Sequence, residues 1–304
     1  MTYRRMSKRL VSLAAALALW LAATAPVSAA DDRVVVIRDA EIEATIRAYA
    51  TPLFQAAGLT PDDIHVALVE SDKINAYVTH GLTLVLYTGL LTRSETAGQV
   101  IGVIAHETGH IAGGHLVRLR EEVDTLLLKS LAVAALGIGA AVASRQPEAA
   151  GVIIGAGSEM LQRDLMRYSR TQESSADHAG VGFLDATGQS SRGLLRFLEI
   201  MQTQELMLSA RQDPYLLSHP LTTERISFLR EHVRESPFSD VPDTPENAEA
   251  HRRMTAKLIG FLEPLARVLQ QAKPGGYPAT ALESIFRAVF AASRAIVERT
   301  DSPA

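Results

Sequence analysis

Between residues 38 and 57 the apolar positions Ile42, Ile46, Tyr49 and Leu53 recur at intervals of three and four, which predicts an amphipathic helix closed at Gly58. The pattern then shortens. Pro61-Asp62-Asp63 opens the run 64–69, Ile-His-Val-Ala-Leu-Val. After Asn75-Ala76-Tyr77-Val78 and a turn at His80-Gly81 comes the run 82–87, Leu-Thr-Leu-Val-Leu-Tyr. Both have the length and composition of strands, and together they predict a small antiparallel sheet. Thr92 and Glu95 stand in capping-box spacing ahead of Val100, Ile101, Val103 and Ile104, so a helix buried on at least one side is expected directly after the last strand.

Residues 126–143 and 151–157 are apolar almost throughout, with Arg145-Gln146-Pro147-Glu148 between them. Each half is short or interrupted for a membrane span. A helical hairpin is expected, and its lack of aromatic anchors favours packing over the active site above peripheral membrane contact through residues 126–157. Prolines 237, 242 and 245 mark residues 237–247 as a linker. Residues 248–271 and 279–300 then read as helices of a tail lying against the core, split by Lys273-Pro274-Gly275-Gly276-Tyr277-Pro278. The fold class is α+β, mostly helical.

Residues 1–30 change the picture of where the chain works. Arg4, Arg5, Lys8 and Arg9 precede an apolar run at 10–23, and small residues follow up to Ala30 before Asp31-Asp32. This is the pattern of a secretory signal peptide cleaved near residue 30. Its removal, with those four basic residues, would take the net charge from −4 to −8. No basic segment for nucleic acid remains. The chain has no cysteine, so neither a disulfide nor a lipoprotein anchor is available, and the expected compartment is a bacterial periplasm.

The chemistry is concentrated in His106-Glu107-Thr108-Gly109-His110. On a helix the two histidines are four apart, about 40° from each other around the axis, and both imidazoles reach one cation, with Glu107 beside them as a base. A hydrolytic metal of this kind takes three protein ligands and leaves one position open. His115 is nine residues after His106, which on a continuous helix is the opposite face, unless Gly113-Gly114 ends that helix. The better third ligand is Glu173. Glu173 and Asp177 are four apart on one expected helix face, so one carboxylate can bind the metal while the other holds a ligand imidazole by its second nitrogen.

These segments, with Ser218-His219-Pro220-Leu221-Thr222-Thr223-Glu224-Arg225-Ile226, resemble the three signatures of the gluzincin peptidases that include the CAAX prenyl endopeptidases, HtpX and the BepA-like proteins. The order and spacing resemble them too, over residues 34 to 235, and the periplasmic BepA-like branch is the nearest match. The resemblance implies a gluzincin-type core for residues 31–236, one Zn2+ per chain on His106, His110 and Glu173, and Glu107 as general base. It further implies Asp177 behind the ligands and His219 with Arg225 near the reacting carbonyl. Asn75, with Leu84 and Leu86 of the following strand, resembles the substrate edge, although Thr79-His80-Gly81 stands where the family has Pro-Gly-Gly. Residues 253–262 resemble the start of the helical tail that precedes tetratricopeptide repeats in longer relatives, so 248–304 would hold at most one repeat-like pair.

The implied activity is endoproteolysis of unfolded, misfolded or stalled exported polypeptides, with the outer-membrane assembly machinery as a partner. A chaperone or assembly factor with little proteolysis is the alternative. A neutral His219 on a loop would also be able to fill the metal's open position and hold the enzyme inactive.

Overall fold

The computed structural model describes residues 34–79, 81–146, 148–205, 215 and 218–262. The signal-peptide assignment on residues 1–30 and the second tail helix at 279–300 lie outside them. Contacts set the chain up to Val35 apart from a compact unit beginning at Val36, and all elements below belong to that unit.

Helix α1 (Ala40–Ala56) is the expected amphipathic helix. Asp39 caps it by accepting the Glu41 and Ile42 amides, and Ile42, Ile46, Tyr49 and Leu53 are buried. Strands β1 (Val36–Ile37), β2 (His65–Val69), β3 (Ala76–Thr79) and β4 (Thr83–Tyr87) form one sheet in the order β1-β2-β4-β3. The sheet is mixed, which corrects the antiparallel expectation: β2 and β4 run parallel, Val66 opposite Leu84. The cause is the path between them. After β2 the chain crosses to the far edge, lays down β3 there and turns back antiparallel into β4, so β4 shares the direction of β2.

A short helix α2 (Thr88–Arg93) separates β4 from α3 (Ala97–Ala112). The cap of α3 is therefore four residues later than expected: Thr96 Oγ1 accepts the Gln99 amide at 3.3 Å, and Gln99 Oε1 accepts the Glu95 amide at 2.6 Å. Thr92 instead donates to the Thr88 carbonyl within α2. Buried Leu90 and Leu91 supply the reason, since they need a helical turn to reach the core. Each such fully buried side chain contributes about 1.5–3 kcal/mol.

Helices α4 (His115–Ser144) and α5 (Glu148–Ala186) form a hairpin, followed by α6 (Arg192–Glu205), α7 (Thr223–Glu235) and α8 (Pro245–Leu262). The lower half of α5 crosses α3 at backbone contact. A Cβ on Gly109 would stand 2.6 Å from the Ala176 carbonyl oxygen, and one on Gly180 would stand 3.1 Å from the backbone of Ala105 and His106. Of α4, the residues that line the cleft lie between His115 and Leu119. Leu128, Leu131, Leu136 and Val142 further along it remain exposed, so the apolar stretch does not cover the site as expected.

Helix α8 begins at Pro245 and belongs to the core, with Met254 and Leu258 buried. The segment ahead of it is tied down: Asp243 Oδ2 accepts the Gly98 amide at the start of α3, at 3.0 Å. Lys257 Nζ closes α8 onto the start of α1 through Asp39 at 2.7 Å and Glu41 at 3.1 Å. Partial burial works against the Asp39 carboxylate, but Lys257 and the helix amides outweigh it and lower its pKa below 3.8. Lys257 and Arg253 lower Glu41 below 4.5, and the two carboxylates raise Lys257 above 10.5 despite its burial.

The clasp therefore contributes fully between the ordinary values of 4.5 and 10.5, fades as pH falls through the depressed carboxylate values, and fades again as pH rises through the raised lysine value. Urea melts of Lys257→Met are expected to show a loss of about 1 kcal/mol or less at pH 7 and a shallower acid-side decline than wild type. Parallel pH profiles for the two proteins would contradict this.

Candidate metal centre

Helix α3 presents His106 and His110 one turn apart, and α5 presents Glu173 and Asp177 one turn apart, at the point where the two helices touch. Glu173 Oε2 is 3.3 Å from His106 Nε2, its Oε1 is 3.3 Å from His110 Nε2, and the two Nε2 atoms are 3.1 Å apart. His219 comes in ahead of α7, with Nδ1 3.4 Å from His106 Nε2 and 3.2 Å from Glu173 Oε1. One atom from each of these four residues lies within 4.8 Å of every other.

These separations decide what the group can hold. Ligand atoms about 2.0–2.1 Å from a common tetrahedral centre stand about 3.3–3.4 Å from one another. The five separations above, measured to one or the other Glu173 oxygen, run from 3.1 to 3.4 Å, and one atom from each residue lies within 4.8 Å of the rest, close enough to share one ion. The residues present fit a small divalent metal ion.

Behind the ligands is a layer that holds them. His106 Nδ1 donates to Asp177 Oδ1 at 2.8 Å, as the spacing of Glu173 and Asp177 implied. Arg225 then grips Asp177 in two places, Nε on Oδ2 at 2.6 Å and Nη2 on Oδ1 at 2.9 Å, and its Nη1 reaches Glu173 Oε2 at 2.8 Å. Arg225 is thus a partner of both carboxylates, and it is not among the residues that line the cavity described below. Thr222 fixes its position by capping α7 through the Arg225 amide.

The charges are mutually dependent. Burial disfavours charge on Asp177, but His106 and Arg225 hold its pKa at about 2. Burial would likewise raise Glu173, yet three imidazoles hold it far below the carboxylate range. His110 is lowered by burial to about 3, against the pull of Glu173. For His106 the carboxylates of Asp177 and Glu173 overcome burial and raise it to about 10. Two buried carboxylates thus draw positive charge to the imidazole centre, and a bound metal ion would supply that charge and release the proton.

Glu107 lies beside this group and is buried; its Oε1 makes no hydrogen bond among the described residues and is 3.4 Å from His219 Nε2. Burial pushes its carboxyl above the ordinary value. A cavity of about 380 Å³ opens in front, lined by Tyr77, Val78, Thr79, Glu107, His110 and His219 among others. The strand at its mouth is the edge strand β3. Leu84 and Leu86 are not at that edge: they lie on β4, paired on both sides by β2 and β3, with side chains in the core. Asn75 is buried ahead of β3, where its carbonyl accepts the Tyr87 amide.

The match to a known family now has a site to attach to. Residues 37–233 match the model of peptidase family M48. The chain belongs to peptidase family M48. It is similar to the beta-barrel assembly-enhancing protease of Escherichia coli, 26% identical over 199 residues, which is 66% of this chain and 40% of that protein. The Yersinia pestis beta-barrel assembly-enhancing protease is 28% identical over 174 residues, covering 56% of this chain and 35% of that protein. Metalloprotease LoiP of Escherichia coli is 28% identical over 161 residues, covering 53% and 59% respectively. The chain thus spans less than half of the two assembly-enhancing proteases and 59% of LoiP.

His115 stays outside the four-residue group, as expected, but the Gly113-Gly114 exception to the opposite-face placement is the one that holds. Helix α3 ends at Gly113-Gly114, Gly114 takes φ +61°, and α4 restarts at His115 in a new direction. Its buried ring folds back so that Nδ1 lies 2.9 Å from His110 Nδ1. His115 is no member of the four-residue group, but it holds the far nitrogen of His110 as Asp177 holds that of His106. The glycine pair was the available signal. Tyr215 was missed: its ring lies 4.8 Å from that of His219, and its carbonyl accepts the His219 amide at 2.7 Å.

Replacing His115 with Ala is expected to weaken metal affinity by about 10- to 100-fold, the usual effect of removing the support of a ligand imidazole, while leaving the far-ultraviolet circular dichroism unchanged. Competition with a chelating dye measures this, and an unchanged affinity would contradict the assignment.

Proposed function

We propose that this chain is a zinc-dependent endopeptidase of the periplasm that cleaves misfolded or stalled exported polypeptides in envelope quality control. The observation that carries the reading is the clustering of His106, His110, Glu173 and His219 within 4.8 Å of one another beside Glu107. Two imidazoles and one carboxylate, each held from behind, are the donor set of a hydrolytic zinc, one ion per chain. The leader-like residues 1–30 support export, and relatives named for β-barrel assembly support outer-membrane proteins and their assembly machinery as the setting.

Zinc, when bound to His106, His110 and Glu173, supplies a Lewis acid that activates water and polarises the scissile carbonyl. Glu107 Oε1 takes the proton from the attacking water and returns it to the leaving amine. Strand β3 offers its open edge to an extended chain, so backbone hydrogen bonds hold substrates of varied sequence across the cavity. Asp177 orients His106, and Arg225 neutralises Asp177 and Glu173, keeping the ligand carboxylate in place.

The position of His219 favours a resting state. Its Nδ1 is 3.4 Å from His106 Nε2 and 3.2 Å from Glu173 Oε1, and its Nε2 is 3.3 Å from the Ala76 carbonyl oxygen on β3, so the ring would compete with water for an ion held by His106, His110 and Glu173 and lies at the substrate edge. An extended polypeptide has to displace it. Such a device also accommodates the alternative function, a chaperone or assembly factor that binds chains at the edge and cleaves rarely.

Casein cleavage by two variants tests these readings. Glu107→Gln is expected to keep its zinc and lose about 10²- to 10⁴-fold in rate. If complementation of a deletion strain survives that loss, the binding role is the physiological one. His219→Ala is expected to cleave faster than wild type. A slower rate would assign His219 to the reacting carbonyl, and an unchanged rate would contradict both roles.

A further inference from the structure

We propose that the α4/α5 hairpin inserts into a lipid bilayer and holds the metal cleft at its surface. Four observations on the hairpin agree. Helix α4 is long and apolar enough to cross a membrane. From 130 to 144 on α4 and from 149 to 158 on α5 there is no charged residue. The uncharged part of α4 is about 22 Å long at 1.5 Å per residue. Lys129 and Arg145 at its ends are about 24 Å apart along the axis, and by extending outward they reach both headgroup layers of a core about 30 Å thick.

The side-chain arrangement is the reverse of a soluble helix pair. The two helices meet through small residues: a Cβ on Gly157 would stand 2.3 Å from Val133, and one on Gly137 would stand 2.9 Å from Ile154. The large apolar residues point away from this seam, with Leu128 68%, Leu136 67%, Val142 75% and Val152 71% exposed. At 100° per residue, Leu127, Leu131, Leu136 and Ile138 spread over about half the circumference of α4. A partner protein covers one face, whereas lipid surrounds a helix. Close contact through glycine with large side chains outward is how helices associate in a bilayer.

The charges are placed to match. Val133 opposite Gly157 brings Lys129 and Glu159 to one level, and below it, toward the core, charges of both signs are concentrated: Arg118, Arg120, Arg163, Arg167 and Arg170 with Glu121, Glu122, Asp124 and Asp164. They would sit among headgroups. The same base of the hairpin contributes Leu116, Leu119 and Tyr168 to the cavity wall, so insertion would set the cleft beside the membrane, where polypeptides enter and leave it.

The absence of cysteine allows a direct test on the full chain. A single cysteine at Leu136, Ile138 or Arg118 is labelled with an environment-sensitive fluorophore and mixed with phosphatidylethanolamine–phosphatidylglycerol vesicles brominated along the acyl chains. Blue-shifted, bromine-quenched emission is expected at 136 and 138 and neither change at 118. Adding Leu131→Glu and Leu136→Glu is expected to abolish quenching at 138 with metal content unchanged. Emission at 136 and 138 that ignores vesicles would overturn the proposal. So would a blue shift that needs no vesicles and grows with protein concentration, since a second copy would then be the occupant.

Discussion

The backbone contact between α3 and α5 is the constraint on which the rest of this structure depends. Helices with ordinary side chains at a crossing stand about 8–10 Å apart; here the backbones themselves touch, which fixes how the side chains of one helix meet those of the other. Gly109 and Gly180 remove the side chains that would keep the axes apart, and Ala176 presents its backbone to Gly109. Glu173 and Asp177, one turn apart on α5, are thereby brought against His106 and His110, one turn apart on α3. The order in sequence of the ligands follows from two helices sharing one contact.

Once that contact is made, buried charge has to be balanced. Asp177 is fully buried and would be costly alone, but it is held by His106 on one side and by two nitrogens of Arg225 on the other. This links α7 to the centre, and with α7 the segment carrying His219. The glycine break after His110 performs the complementary task on the other side: it turns His115 back onto His110 and sends α4 away from the core, leaving the cavity open. A single centre thus organises α3, α4, α5 and α7, and the short sheet contributes its free edge.

Much of this was legible in the residues because helix periodicity converts spacing into geometry. The four-residue intervals His106–His110 and Glu173–Asp177 place pairs on one face whatever the surrounding fold, so the group they form was readable before any coordinates. Features set by several segments at once were not. The parallel pairing of β2 with β4 depends on where the chain crosses between them, which no local pattern records. Leu84 and Leu86 have strand composition on an edge or in a centre alike. Arg225 reads as a cation near a site, and its direction is set by Asp177, 48 residues away. For His115 the residues left two positions open, the opposite face of a continuous helix or a return after a break at Gly113-Gly114, and only the fold decides between them.

Metal affinity of two matched glycine substitutions measures the central claim directly. Gly109→Ala puts a methyl 2.6 Å from the Ala176 carbonyl oxygen, whereas Gly182→Ala, on the same α5, meets nothing within 4 Å. Alanine favours both helices equally by about 1 kcal/mol, so propensity cancels in the comparison. Overpacking of about 1–3 kcal/mol at the crossing predicts zinc affinity weaker by about 5- to 150-fold for Gly109→Ala, with all ligands intact, and unchanged for Gly182→Ala. Equal affinities for the two variants would contradict the claim that the helix contact builds the metal centre.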